Sequence, residues 1–256
     1  PMKAFPAANL TMSLQRAFGS YIRSKKDQYG EKLYTHHVSN NQWENGYQDA
    51  PPDIQGFVNL AYPVKWRPFQ LAFLLAQVEG LTDSSSDDRQ TTDLIWFSTG
   101  GGKTEAYLGL IAMTIFYRRL SYPHEASGVT AIMRYTLRLL NKQQFGRAVP
   151  LISACELIRR ADQLNFQSVY GSDRISIGIW VGSGLTPNKW YDQLSGFWQK
   201  SSIATADRNK NNNDIRYTLP LSECPCCGAR LHMDQEGGVG SRKGLWGIIA
   251  PMAFPA

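Results

Sequence analysis

The 256-residue chain is 43% hydrophobic and carries 27 Lys and Arg against 21 Asp and Glu, a formal charge of +6. A chain of this length buries one sizeable core with an appended module and needs neither disulfides nor metal merely to fold. No run approaches the roughly 18 apolar residues of a spanning helix, which argues against membrane insertion, while the basic balance permits a nucleic-acid partner without requiring one.

Residues 1–62 read as a polar N-terminal extension, with one helix from Leu10 to Ser24 and a loop-like stretch from His36 to Pro52. The N-terminus has neither the apolar stretch of a secretory signal nor the Arg-rich pattern of a transit peptide, so the cytoplasm is the expected location. Residues 63–203 form the expected main lobe. A helix follows Pro68 through Leu71, Leu74, Leu75 and Val78 to Gly80, where glycine suits a C-terminal cap. The Ser- and Asp-rich residues 81–90 read as a surface loop.

Strand and helix then alternate. Strands are expected at Asp93–Phe97, Val129–Met133 and Ile175–Val181, and helices at Lys103–Leu120 and Thr136–Leu164, the latter with a break at Pro150. Continuous apolar strands between helices predict an α/β fold, a parallel sheet covered by helices on both faces. Thr186-Pro187 opens a further amphipathic helix carrying Trp190, Tyr191, Leu194, Phe197 and Trp198, a stripe that reads as core packing ahead of base stacking. Residues 204–256 read as a flexible insertion. Pro1–Ala7 nearly recurs as Pro251–Ala256, a likeness for which there is no physical account.

The Phe97-Ser98-Thr99-Gly100-Gly101-Gly102-Lys103-Thr104 run carries the chemistry. A polyphosphate needs several backbone N–H donors converging on it, and residues without a Cβ let the main chain wrap that closely. Placed ahead of a helix, the loop adds the partial positive charge of the helix N-terminus. Lys103 then reaches the β- and γ-phosphates of ATP, and the Thr104 hydroxyl ligates Mg²⁺. Phe97 stands where the strict pattern has glycine. The competing reading is a glycine-rich turn with Lys and Thr present by chance, which the flanking pattern disfavours.

Cys224 and Cys227 form a C-x-x-C pair followed by Gly228, as in a zinc knuckle. The pair is half of a tetrahedral Zn²⁺ site; Cys226 and His232 are the nearest supplements, and reduced thiols in a loop are the alternative. Cys155 falls on the apolar face of an expected helix.

Three stretches together, Arg67-Pro68-Phe69-Gln70, Phe97–Leu110, and Met133-Arg-Tyr-Thr-Leu-Arg-Leu-Leu through Phe145, resemble superfamily 2 helicases and, within them, the helicase subunit of the DISARM anti-phage system. Gly182–Asn188 and the cysteine knuckle are also similar. The resemblance covers roughly residues 64–228 and implies a P-loop, RecA-like first lobe with a half zinc ribbon. It implies an ATP-dependent DNA helicase or translocase, with DNA and a second DISARM subunit as partners. By the same resemblance Gln70 reads adenine, against a plain helix-start role, and Thr99, Gly100, Gly101, Gly102, Lys103 and Thr104 hold ATP and Mg²⁺. Arg134, Thr136, Arg138 and Gln144 hold a DNA strand by its phosphates, although an arginine there equally suits a local carboxylate. Gly182 and Gly184 touch the same strand, with a simple turn as the equal alternative.

The Asp-Glu pair that superfamily 2 hydrolysis requires is missing. Asp234-Gln235-Glu236 lacks both adjacent carboxylates and a preceding apolar strand. No second lobe with arginine fingers is seen, so no catalytic residue is expected within the chain, which reads as a fragment of a longer motor, ahead of a naturally short nucleotide-binding regulator, that binds nucleotide without turning it over. The alternatives are a non-catalytic nucleotide- or nucleic-acid-binding scaffold and, less favoured because of Gln70 and the arginine-rich passage, a small-molecule P-loop kinase.

Overall fold

Helices dominate the computed structural model, which describes residues 2–29, 37–39, 42–44, 54–60, 65–96, 98, 100–122, 127–135, 138–164, 169–180, 224 and 226. They are α1 (Ala4–Tyr29), α2 (Ile54–Leu60), α3 (Pro68–Ala76), α4 (Val78–Thr82), α5 (Lys103–Ser121) and α6 (Arg138–Leu164). The chain divides into two units. One comprises Pro1–Phe18, Pro52–Arg134 and Arg147–Ile177; the other comprises Gly19–Pro51, Tyr135–Gly146 and Gly178–Ala256.

In the first unit, α1 is longer than its sequence signal suggested because small and apolar residues recur at helical spacing from its start. Ala4, Ala7, Ala8, Thr11, Leu14 and Phe18 are all buried. The Thr11 hydroxyl donates to the carbonyl of Ala7 at 2.9 Å, which satisfies the one polar group on that stripe. Phe18 meets Phe57 of α2 edge-on, with ring centroids 4.8 Å apart.

Pro68 opens α3, preceded by Arg67 in extended geometry, as the restriction on residues before proline requires. The helix stops at Gln77 rather than Gly80. Gly80 falls inside α4, and the Ser86 hydroxyl then accepts from the Asp88 N–H at 3.2 Å to start a 3-10 turn over Asp87–Gln90.

The core gathers on α5 and α6. Ala106, Leu108, Ala112, Met113, Ile115 and Phe116 are buried along α5, so this helix is apolar round much of its girth as its sequence indicated. Pro150 does not break α6, which runs through it. Burial of Ala148, Val149, Leu151 and Ile152 on either side of the proline offsets the missing hydrogen bond.

The expected parallel sheet does not form, and the α/β, RecA-like reading is corrected accordingly. Among the described residues the only β pairing is an antiparallel hairpin in the second unit, β1 (His37–Ser39) against β2 (Gln42–Glu44), with Val38 opposite Trp43. Asp93–Trp96, Val129–Met133 and Ile175–Trp180 carry no strand. Their apolar side chains largely face solvent: Trp96 is 89% exposed, Ile132 84% and Trp180 98%.

Helix side chains, rather than neighbouring strands, meet backbone groups in or just ahead of the second and third segments. Arg118 of α5 donates to the carbonyls of Val129 and Ser127 at 3.1 and 3.4 Å. Arg159 of α6 donates to the carbonyls of Gly171 and Ser172 at 3.3 and 3.1 Å, and the Glu156 carboxylate accepts from the Ile175 N–H at 2.9 Å. An apolar run states that a segment is fit for burial; it does not state which backbone will pair with it.

Candidate functional site

The glycine-rich loop turns sharply into α5. Gly100 has φ 80° and Gly102 φ 93°, left-handed values that side-chain-bearing residues rarely adopt. Gly102 is the cap residue of α5, and the Gly101 N–H donates back to the Ser98 carbonyl at 3.2 Å. Lys103 and Thr104 therefore occupy the first turn of a 19-residue helix, whose leading N–H groups have no acceptor within the helix. The Lys103 ammonium donates to the Ser98 carbonyl at 3.3 Å, folding back along the loop.

The start of α3 braces the loop from outside. Arg67 Nη1 donates to the Gly101 carbonyl at 2.7 Å, and Gln70 Nε2 to the Gly102 carbonyl at 2.8 Å. Gln70 is 5% exposed, and its Oε1 accepts from the Arg67 N–H at 2.9 Å. Both ends of the amide are thus engaged by the chain itself, as a helix-start role requires. The approach is close enough that a Cβ on Gly102 would stand 2.8 Å from Gln70 Nε2. Trp66 anchors the same corner: its indole N–H donates to Asn9 Oδ1 at 2.8 Å, and a Cβ on Gly109 would run into its ring.

Glu105, also in the first turn of α5, forms an ion pair with Arg147 of α6. Deeper in the unit, Arg119 and Arg159 are buried, and Arg119 donates to the Tyr170 carbonyl at 2.7 Å. Arg159 pairs with Glu156 at 2.6 Å. Burial, followed by the neighbouring charge of Arg159, lowers the Arg119 pKa from its usual value. Burial pushes the Cys155 thiol up to about 12, despite its contact with Thr11 Oγ1 at 3.8 Å. This cysteine is a packing residue, as its place on an apolar helix face suggested.

The structure thus brings Gln70, Gly100, Gly101, Gly102, Lys103 and Thr104 together around one turn. Phe97 and Thr99 lie outside the described residues. Of the expected nucleic-acid contacts, Arg134 is exposed, Arg138 opens α6 and Gln144 lies on α6 partly buried, its Oε1 accepting no hydrogen bond among the described residues. Thr136, Gly182 and Gly184 lie outside the described residues, as does the aromatic stripe from Trp190 to Trp198.

Cys224 is half-buried and Cys226 buried, while Cys227 and His232 are outside the described residues. Among the described residues no three His, Cys, Asp or Glu side chains gather as a metal site would require. Nor is any helix among them long and apolar enough to cross a membrane. Sequence reasoning missed the bracing role of Arg67, although it stands in the run that opens α3. It also missed the Glu105–Arg147 pair, since a sequence separation of 42 leaves no local signal.

No family model matches the chain. The DISARM protein DrmA of Bacillus paralicheniformis is 43% identical over 173 residues, which cover 65% of this chain and 14% of that relative. The resemblance to a DISARM protein drawn from the sequence motifs is therefore borne out, and the chain spans a small part of the curated relative it matches.

Proposed function

We propose that this chain carries the ATP-binding loop of a DNA-acting, ATP-dependent helicase or translocase subunit of a DISARM-type anti-phage system. The observation that carries the reading is the turn at Gly100–Gly102. Two left-handed glycines deliver Lys103 and Thr104 to the start of a long, buried helix, the arrangement that an anionic phosphate group needs. The 43% identity to a DISARM protein supports placing that loop in a defence system.

In this reading Lys103 leaves the Ser98 carbonyl to meet the β- and γ-phosphates, and Thr104 takes Mg²⁺. Gln70 exchanges its hold on Gly102 for the adenine edge, so base recognition and loop release are one event. Arg134, Arg138 and Gln144 lie along the passage into α6, suited to a strand held by its phosphates. Cys224 and Cys227 supply half of a structural zinc site. A second DISARM subunit is the expected protein partner.

The test is ATP hydrolysis by the intact protein with and without single-stranded DNA. Lys103→Ala is expected to abolish the DNA-stimulated rate and to weaken binding of a fluorescent ATP analogue at least tenfold, the size of one lost charge-assisted contact. Wild type without DNA-stimulated hydrolysis, together with unchanged analogue binding by Lys103→Ala, would overturn the reading.

A further inference from the structure

Glu105 follows Lys103 and Thr104 in the first turn of α5, and its Oε2 lies 3.6 Å from the position a Cβ on Gly102 would take. One carboxylate oxygen therefore faces the loop while the other accepts from Arg147 Nη2. Arg147 is held at its backbone, where its carbonyl accepts from Gln15 Nε2 at 3.0 Å and the next two residues, Ala148 and Val149, are buried. Its guanidinium remains accessible, the side chain being 43% exposed. Arg147 lies three residues beyond Gln144 on the same helix, and residues so spaced share a face.

From this geometry we infer that Arg147 is a shared cation, claimed either by Glu105 or by a nucleic-acid phosphate, so that ATP and DNA binding oppose each other. The inference rests on the ATP- and DNA-binding reading above. The physical basis is charge. A triphosphate at Lys103 brings several negative charges beside Glu105, and that carboxylate is tolerable there only while Arg147 neutralises it. A DNA phosphate on the α6 face competes for the same guanidinium, and when it wins, Glu105 is left bare against the loop and repels the nucleotide. By linkage the antagonism is reciprocal: ATP weakens DNA by the factor by which DNA weakens ATP. Arg147 and Glu105 are positioning residues in this scheme, since neither touches the reacting atoms.

The experiment measures the dissociation constants of a fluorescent ATP analogue and of an oligothymidylate, each with and without the other, using the intact protein. Wild type is expected to show mutual weakening of about fivefold or more, within the ordinary range for coupled sites. Glu105→Gln frees Arg147 for DNA, so DNA affinity without ATP rises and the coupling falls to within twofold. Arg147→Gln lowers DNA affinity and also removes the coupling. Arg147→Lys keeps the charge and retains part of it.

Opposite effects of the two partners on DNA affinity are a signature that a merely structural ion pair does not produce, because losing either partner of such a pair acts in one direction. Same-direction changes in folded variants, checked by circular dichroism, would sink the inference, as would coupling that survives either substitution or a wild type that binds both ligands independently. A wild type that binds no ATP analogue, with Lys103→Ala indistinguishable from it, removes the underlying nucleotide reading instead, and this inference with it.

Discussion

The turn at Gly100–Thr104 and the three apolar segments at 93–96, 129–133 and 175–180 were equally visible in the sequence, yet only the turn adopts the form its residues announced. The turn is specified locally. Gly100 and Gly102 supply the positive φ values, and the apolar residues after Lys103 supply a helix with a face to bury. A strand is specified only jointly with the partner that pairs its N–H and C=O groups. Here Arg118 meets the carbonyl of Val129 and Glu156 the N–H of Ile175 in place of a partner. The difference separates structure written in neighbouring residues from structure written across the chain.

If the turn draws its stability from the helix behind it, the largest effect belongs to the largest fully buried side chain of α5. Phe116 is fully buried and meets Tyr170 edge-on, with ring centroids 4.8 Å apart. Phe116→Ala is expected to cost about 3–5 kcal/mol in urea unfolding, the sum of lost transfer energy and residual cavity. A loss below about 1 kcal/mol would mean that α5 does not organise this unit.

The turn itself gives an intermediate effect. At φ 93° an alanine at position 102 is strained, and its Cβ would press on Gln70 Nε2. Gly102→Ala is expected to cost roughly 1–2 kcal/mol from the left-handed backbone, measured by the same unfolding curve. A neutral result would show that the loop relaxes out of its left-handed form without penalty, removing the claim that it is locally fixed.

What could be read in advance follows the same division. The existence of α5 and α6, the opening of α3 at Pro68 and the left-handed glycines rest on caps, proline restriction and helical spacing, all contained within a few residues. The span of α1 was underestimated because its first two turns bury small alanines, which recur at helical spacing but stand out less in a sequence than large apolar side chains. Gly80 was misread as a cap because a glycine near a helix end is common, whereas here Gln77 closes α3 in ordinary right-handed geometry. In the candidate site, Lys103 enters through the glycine-rich run and Gln70 only through the family resemblance, and both stand at the turn. The brace from Arg67 to Gly101 and the Glu105–Arg147 pair join residues 34 and 42 apart, and nothing in either neighbourhood identifies the other.

The smallest expected effect belongs to the exposed apolar segments. Trp180 and Ile132 belong to segments whose composition called for burial, yet Trp180 is 98% exposed and Ile132 84%. A side chain already in water forfeits little when truncated, because the transfer energy that makes core substitutions costly was never gained. Trp180→Ala and Ile132→Ser are therefore each expected to shift unfolding by no more than about 0.5 kcal/mol, several-fold less than Phe116→Ala in the same assay. A cost comparable to that of Phe116→Ala would mean that these segments are buried in solution against some other surface, and that their apolar sequences had described them correctly.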